Sequence, residues 1–562
     1  MIVGESRRSQ LVGTFGVGSM FPAPEQSLMI CGLDKWPTGD RQAISEQRLA
    51  QSLGVNRLMT PRTGSKGDVP AVRFPRFYFC PECRRLGHWR TFDTTSKKGN
   101  PRCLNCERDA VPSRFVVTCT QGHIDDFPYS RWVHSDRPVA PDQEKQHKLK
   151  LVTRGETSSL ADVEIRCGCG AVRTMEGSFS PKSLLGISAC SGSRPWLPGT
   201  AREACSETPR VVQRGSSSVW FADVRSAISI PPWSDIHHKV QGSWSMLKDA
   251  DETLLRGIFA LPGWIPANSH WTVDDLVDAV KAIKEGPAQD DESLKKQEYS
   301  AILAGHPETS PTDQFVCTPV KTSGTSIHPF VSEARDVARL REVTALVAFT
   351  RLNPPDAQGA VRAKLSAEQT DWLPAIEVFG EGIFVRLDEK RLQQWESTPF
   401  ARTRTAGIAR HAQADVMVTS RRLLVHSFAH ALMNELSLDA GYPVASLRER
   451  IYAGKDQAGI LVYTATADSA GSLGGLSAQS DPERLDAVIR SAMRRAMWCS
   501  ADPVCIESKG SGIDNLNLAA CHACMLVPET SCENRNCFLD RALLIGLPDS
   551  PDVGYFSELV AM

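Results

Sequence analysis

Closely spaced cysteines are the residues of this sequence best suited to chemistry. The chain of 562 residues contains 17 cysteines, and several form tight pairs such as Cys80-x2-Cys83 and Cys521-x2-Cys524. Many zinc sites take two of their four ligands from a pair of thiolates on one short turn, because such a turn holds both sulfur atoms close enough to bind one tetrahedral Zn²⁺ ion. An odd number of cysteines in this arrangement favours metal binding over disulfide bonds, and we expect no ordered disulfide.

The first four cysteines of this kind have the spacing of a zinc ribbon. The ligands are Cys80, Cys83, Cys103 and Cys106. The 19 residues between the two pairs are long enough to form strands that bring both turns to one ion. Four thiolates complete the tetrahedral coordination and leave no position for water, so the spacing predicts a structural zinc ion rather than a hydrolytic one.

A second set is spaced less regularly. We predict that a second zinc ion is bound by four cysteines further along the chain: Cys167, Cys169, Cys190 and Cys205. The Cys119-x3-His123 pair offers alternative ligands for this region. The spacing does not decide between the two possibilities, because both supply thiolates on short turns.

Near the C-terminus there are more thiols than one zinc ion can bind. They are Cys499, Cys505, Cys521, Cys524, Cys532 and Cys537. The Cys521/Cys524 turn needs one ligand from either side, whereas Cys537 falls at the start of a predicted helix that leads away from it. We therefore predict a site formed by Cys505, Cys521, Cys524 and Cys532. The chain should then bind about three structural zinc ions in all.

Two histidines are the main candidates for catalysis. His426 and His430 lie four residues apart on one predicted helix, and Glu435 follows. This spacing resembles the ligand pair of zinc proteases, but Ser427 occupies the position where that mechanism requires a glutamate base. A packed polar network is the favoured interpretation. A metal-dependent hydrolase or nuclease using His426, His430 and Glu435 is the alternative.

The sequence contains no Walker A motif. Without the lysine of that loop, nothing recognisable holds the β- and γ-phosphates of ATP, so we expect no ATPase activity and no enzyme activity from this chain alone.

A basic helix near the C-terminus is a candidate nucleic-acid contact. Asp481 and Pro482 are typical N-cap and first-turn residues, and they open a predicted helix that ends near Trp498. The proposed DNA-contacting residues are Arg490, Arg494, Arg495 and Trp498. The arginines can follow a phosphate backbone and the indole can stack on a base. The alternative is an ordinary solvated face of a helix packed on the core.

Length and hydropathy place these sites in a multidomain α+β protein. A chain of this length exceeds one hydrophobic core, and no apolar run approaches the roughly 20 residues that cross a bilayer. The N-terminal segment has charges and glycines where a signal peptide needs an apolar stretch, so we expect a cytoplasmic protein. The predicted regions are 1–75 (β-rich), 76–115 (zinc ribbon), 116–235 (second zinc module), 236–420 (mainly helical or mixed) and 421–562 (C-terminal zinc-binding domain). Within the fourth, a helix is predicted from Ser332.

Several long segments resemble one family. They are RRSQLVGTFGVGSMF, CGLDKW, PRFYFCPEC, PSRFVVTCTQGHIDDFPYSRWVH, RPWL, SAISIPPW and AACHACMLVPETSCENRNCFLDRALL. Spread over nearly the whole chain, they resemble the DrmB subunits of DISARM antiphage systems. Residues from about 421 to 545 also resemble the C-terminal zinc-binding domain of MrfA-type repair helicases.

The resemblance implies a role without assigning catalytic residues. It implies a non-catalytic accessory subunit that pairs with the helicase DrmA and helps it engage phage DNA, and the expected DNA is single-stranded or has single-stranded ends. Carried over by position, the family's C-terminal cysteine ligands match Cys505, Cys521, Cys524 and Cys532. Cys537 stands where a different residue is expected, which makes it a spare thiol. A pure protein scaffold that contacts no DNA is the other alternative.

Overall fold

The computed structural model of the chain describes most of its length. The described residues are 4–23, 26–37, 42–62, 69–95, 100–136, 147–155, 159–231, 236, 239–240, 243–265, 271–285, 291–309, 313–355, 357, 360–412, 416–465, 475–512 and 515–561.

Short strands dominate the first half of the chain and longer strands the second. The strands are β1 (Met20–Ala23), β2 (Gln26–Ile30), β3 (Ala43–Ile44), β4 (Arg57–Met59), β5 (Ala71–Arg73), β6 (Phe77–Phe79), β7 (Arg85–His88), β8 (Val111–Pro112), β9 (Phe115–Thr118), β10 (Ile124–Asp126), β11 (Leu149–Thr153), β12 (Val163–Cys167), β13 (Val172–Thr174), β14 (Arg210–Gln213), β15 (Phe221–Ile228), β16 (Val316–Val320), β17 (Val331–Thr350), β18 (Trp372–Leu387), β19 (Leu447–Tyr452) and β20 (Gly459–Thr464).

Among the described residues, every helix of ten or more residues begins at Val273 or later. The helices are α1 (Arg8–Gly13), α2 (Gln47–Ser52), α3 (Tyr129–Val133), α4 (Trp244–Leu247), α5 (Glu252–Phe259), α6 (Val273–Glu285), α7 (Asp291–Ala304), α8 (Glu389–Glu396), α9 (Pro399–Ala409), α10 (Ser420–Asp439), α11 (Pro482–Ala496), α12 (Ala542–Ile545) and α13 (Ser557–Ala561).

The first of two compact units is built from antiparallel sheets. It comprises Met1–Ile44, Arg57–Arg225 and Thr344–Ile376. One sheet has the strand order β13-β12-β11-β7-β6-β8, and two three-stranded sheets have the orders β10-β9-β14 and β1-β2-β5. Of the cysteines proposed above as ligands, seven lie in the loops between these strands and Cys167 is the last residue of β12, so the sheets position the thiols.

The second unit has the larger hydrophobic core. It comprises Ser45–Asn56, Ser226–Val343 and Glu377–Met562. In this unit β18, β20 and β19 pair antiparallel in that order. Helix α10 packs against β19, β20 and α11, and most of its residues are buried. This central helix carries both candidate catalytic histidines.

The α+β multidomain fold class is confirmed, and so are several local predictions. Asp481 caps α11, where its carboxylate accepts from the amides of Glu483 and Arg484, and Pro482 occupies the first turn. The helix ends at Ala496, two residues before Trp498. No helix among the described residues is long and apolar enough to cross a membrane. The boundaries of the five regions stay a prediction.

The predicted helix from Ser332 is wrong, because this segment forms the long strand β17. Val337, Leu340 and Val343 are buried at intervals of three, which matches a helix. The strand is also buried at every position from Leu340 to Leu346, and a strand covered on both faces loses its period of two. The segment forms a strand that pairs with β16, and the hydrophobic pattern of the sequence does not reveal this pairing.

Two leucines of α10 provide a stability test. Leu424 is 0% exposed in the core and Leu438 is 61% exposed on the same helix. Leu424→Ala should destabilise the second unit by about 2–5 kcal/mol, because it removes buried methyl groups and leaves a cavity. Leu438→Ala should leave stability within about 0.5 kcal/mol of the wild type. Chemical denaturation followed by far-UV circular dichroism measures both, and equal effects would contradict the assigned burial.

Candidate metal centres

The zinc-ribbon cysteines lie together on two turns of the same geometry. In the first turn the amide of Arg84 donates to the Cys80 carbonyl (3.0 Å), and in the second that of Glu107 donates to the Cys103 carbonyl (2.9 Å). Both donor residues have positive φ, 65° and 54°. The sulfurs of Cys83 and Cys103 are 3.6 Å apart, close to the roughly 3.8 Å edge of a tetrahedron with 2.3 Å zinc–sulfur bonds.

The structure does not bring the four cysteines of the predicted second site together. Instead it divides them between two clusters, and each cluster is completed by residues from elsewhere. One consists of Cys119, His123, Cys190 and Cys205, and the other of His134, His147, Cys167 and Cys169. In each, the ligand atoms lie within 4.8 Å of one another. Cys119 and His123, which the spacing left open, belong to the first.

The His123 cluster has the features of a metal site with a fixed imidazole. Nδ1 of His123 lies 3.5 Å from the Cys119 sulfur and 3.6 Å from that of Cys190. On the other side of the ring, Nε2 lies 2.8 Å from a carboxylate oxygen of Glu203. Arg194 pairs with the same carboxylate at 2.5 Å. A carboxylate behind a histidine fixes its tautomer and orients it toward a metal.

Electrostatics in this cluster favour a cation. The hydrogen bond from the Cys190 thiol lowers the pKa of Cys119 to about 4, against the opposing effect of burial. The same bond, with burial, raises the pKa of Cys190 above its ordinary value. One thiolate therefore suppresses ionisation of its neighbour. A divalent metal removes this conflict, because it stabilises every coordinating thiolate at once.

The His134 cluster joins a helix to a β-hairpin. His134 follows α3, whereas Cys167 ends β12 and Cys169 lies in the turn before β13. Nε2 of His134 is 3.3 Å from the Cys169 sulfur, and Nδ1 of His147 is 3.1 Å from that of Cys167. His134 Nδ1 lies 2.7 Å from the Ser130 carbonyl, which can accept its proton and fix the tautomer. Two histidines and two cysteines are an ordinary zinc ligand set.

At the C-terminus the four cysteines that lie together differ in one member from the predicted set. The structure places Cys499 with Cys505, Cys521 and Cys524, and it places Cys532 elsewhere. The sulfurs of Cys499 and Cys521 are 3.4 Å apart, and those of Cys505 and Cys524 are 3.7 Å apart. The turn that returns the chain is held by Asp502, whose carboxylate accepts from the Cys499 amide at 2.9 Å.

Cys532 lies beside the two histidines of α10. Its sulfur is 3.2 Å from Nε2 of His426 and 3.3 Å from Nε2 of His430. The carboxylate at this position is Glu449, from β19. Glu435, the base of the alternative hydrolase, does not belong to this cluster, and its carboxylate pairs with Arg495 at 2.7 Å. That alternative therefore lacks its predicted base.

The missed residues carry little signal in the sequence. His134 precedes Cys167 by 33 residues and Glu449 precedes Cys532 by 83, so no short-range spacing links them. Cys499 was one of the six C-terminal cysteines considered as ligands. In the structure the turn at Asp502 places Cys499, rather than Cys532, beside the other three cysteines of that cluster. Ligands from distant segments become recognisable once the sheets have formed.

The candidate DNA-contacting residues differ in exposure and in whether their side chains form salt bridges. Arg490 pairs with Asp486 at 3.0 Å and Arg495 pairs with Glu435. Arg494 is exposed, and Trp498 is 72% exposed. The indole is therefore accessible immediately before Cys499, the first ligand of the C-terminal cluster.

Comparison with known proteins gives two family matches and one relative. Residues 7–221 match a domain of unknown function, DUF8724, and residues 428–525 match the MrfA Zn-binding domain. A DISARM protein DrmB from Bacillus paralicheniformis is 30% identical over 569 residues, which cover 95% of this chain and 99% of the relative. The zinc-binding match contains all four members of the C-terminal four-cysteine cluster.

Zinc content of two C-terminal variants tests the corrected ligand assignment. Cys499→Ser should remove about one zinc ion per chain, because three remaining thiolates hold the ion in an open and weak site. Cys537→Ser is the matched control, since Cys537 belongs to none of the clusters among the described residues. Elemental analysis of the folded variants measures both. Unchanged zinc in Cys499→Ser would contradict the assignment.

Proposed function

The chain belongs to the DrmB family of DISARM antiphage proteins, and we propose that it is a non-catalytic, zinc-stabilised subunit that pairs with the helicase DrmA and helps it engage single-stranded phage DNA. The observation that carries this proposal is the relationship to a DrmB protein over 95% of the chain. A relationship of that extent covers both compact units rather than one shared module.

Four of the clusters support zinc as the cofactor of this subunit. Each contains two or more cysteines and offers four protein ligands, so none requires a water ligand to complete its coordination. We propose four structural zinc ions at these clusters, which replaces the estimate of about three. Because thiolate ligands require a reducing compartment, we also propose a cytoplasmic location.

The helicase partnership is proposed from the family and from the C-terminal domain. The domain that matches residues 428–525 is named after MrfA, which the sequence resemblance identifies as a repair helicase. A zinc domain of this type on a chain without a Walker A lysine fits a subunit that serves a separate motor. Strand separation would then occur only in the complex.

The DNA contact is proposed at the exposed end of α11. Trp498 offers a stacking surface and Arg494 an exposed cation with no salt bridge among the described residues, while the residue after Trp498, Cys499, belongs to the neighbouring four-cysteine cluster. Stacking on an aromatic side chain is tolerant of sequence, since every base has a π-face. A defence protein that meets unrelated phage genomes benefits from such tolerance.

Activity measurements test the accessory role. The isolated chain should not hydrolyse ATP, because it lacks the residues that hold the β- and γ-phosphates, and it should co-purify with DrmA when the two are produced together. ATP turnover that a point mutation in this chain abolishes would contradict the proposal. Failure to form a complex at micromolar concentrations of both proteins would contradict the partnership.

DNA binding tests the α11 surface. Trp498→Ala should weaken binding of a single-stranded oligonucleotide by about 1–3 kcal/mol with little change in salt dependence. Arg494→Ala should reduce the slope of log K against log salt by about 0.7. Arg484→Ala, an exposed arginine near the start of the same helix, is the charge-matched control and should bind as the wild type does.

Fluorescence anisotropy at several salt concentrations measures these constants. If the folded, zinc-loaded Trp498 and Arg494 variants bind like the wild type, α11 is not the DNA contact. If the wild type itself does not bind DNA, either alone or with DrmA, the pure scaffold becomes the better description.

A further inference from the structure

A fifth cluster, made of four different side chains, lies in the core of the second unit. It consists of His426, His430, Glu449 and Cys532. The histidines come from α10, the glutamate from β19, and the cysteine from the segment after the four-cysteine cluster. The zinc-binding family match spans residues 428–525 and so leaves out both His426 and Cys532.

We propose that these four side chains form a closed Zn²⁺ site, separate from the four-cysteine site of the same unit. Their separations are those of ligands around one small ion. Glu449 Oε1 is 3.2 Å from Nε2 of His426 and Oε2 is 3.5 Å from Nε2 of His430, and the Cys532 sulfur is 3.2–3.3 Å from both rings. Tetrahedral zinc with bonds of 2.0–2.3 Å sets edges of about 3.3–3.8 Å.

Surrounding hydrogen bonds orient two of the four ligands, His430 and Cys532, toward the centre of the cluster. Nδ1 of His430 lies 2.8 Å from the Met525 carbonyl, so the proton is on Nδ1 and the lone pair of Nε2 faces the cluster. The amides of Asn534 and Asn536 donate to the Cys532 sulfur at 3.3 and 3.2 Å. Such N–H···S bonds stabilise a thiolate.

The carboxylate gives a second, independent indication of a cation. Glu449 is 2% exposed as a residue and its side chain is 0% exposed. Oε1 accepts from the Glu533 amide at 3.1 Å, but Oε2 has no hydrogen-bond donor among the described residues. A buried carboxylate oxygen without a donor is costly in a protein core. A metal ion at the centre of the cluster supplies the missing partner.

The donor chemistry selects zinc and a structural role. One thiolate and two imidazoles exclude Mg²⁺ and Ca²⁺, which prefer oxygen ligands. Four protein ligands complete a tetrahedron and leave no open position for water. All four residues are buried, so a substrate has no access. This site therefore holds segments together and does not hydrolyse a bond.

The site also connects to the neighbouring four-cysteine cluster through the backbone. Met525, whose carbonyl faces His430, directly follows Cys524, and seven residues separate Cys524 from Cys532. An ion at the mixed cluster thus fixes both ends of this short segment, one through Cys532 and the other through His430. Metal binding here contributes directly to folding of the C-terminal region, as is typical of structural zinc.

Zinc counting on the full-length chain tests the proposal. Elemental analysis of Cys532→Ser should give one zinc ion fewer than the wild type, whereas Cys537→Ser, five residues away and outside the cluster, should match the wild type. Glu449→Gln keeps the volume of the side chain but weakens the ligand. It should lose one ion to a competing chelator at a concentration at least about 10-fold lower than the wild type requires.

The outcomes separate this site from the other zinc sites. A folded Cys532→Ser variant with the zinc content of the wild type would overturn the proposal, as would loss of iron instead of zinc. Native mass spectrometry of the wild type should count five zinc ions, so that insolubility of the variants does not prevent a decision. Four ions in the wild type would overturn the fifth site. Loss of an ion in Cys499→Ser would meanwhile still support the four-cysteine cluster.

Discussion

The crowding of thiol, imidazole and carboxylate groups into small volumes is the constraint on which this structure depends. In each of five clusters the ligand atoms lie within 4.8 Å of one another. The hydrogen bond between the Cys119 and Cys190 thiols lowers the pKa of Cys119 and raises the pKa of Cys190, so that only one of the two readily ionises in the absence of a metal. A Zn²⁺ ion bound at such a cluster would stabilise all of its thiolate ligands at once and would link distant segments of the chain.

The two units depend on this link to different degrees. The ribbon has a fully buried core of only five residues, of which two are the ligands Cys80 and Cys103. The free energy gained by burying so small a core does not offset the conformational entropy lost when the loops become ordered. A bound metal would therefore have to supply part of the folding free energy. The C-terminal clusters instead adjoin the largest hydrophobic core, around α10. There, ions bound at the proposed sites would fix the positions of segments that apolar packing already holds close.

The sequence predicted which cysteines lie together where they are close to one another in the chain. It did not predict the clusters whose residues come from distant segments that the sheets bring together. The ribbon could be found because its ligands form two pairs on tight turns. The pairing of His134 with Cys167, and of Glu449 with Cys532, depends on strands that meet only in three dimensions. The strand β17 was missed for a related reason: a segment buried on both faces shows no period of two. Helix α11 was found because its cap and its apolar face are encoded in adjacent residues.

At the proposed DNA surface, the structure favours stacking on bases over ionic contacts with phosphates. The sequence suggests a stripe of three arginines, and three phosphate contacts would make binding mainly ionic. Two of these arginines already pair with carboxylates, Arg490 with Asp486 and Arg495 with Glu435, so each must give up a partner before it can bind phosphate. Arg494, which has no salt bridge among the described residues, would contribute a small salt-dependent part. The exposed indole of Trp498 would contribute about 1–3 kcal/mol by stacking, so the proposed surface is better suited to the bases of an open strand than to the backbone of a duplex.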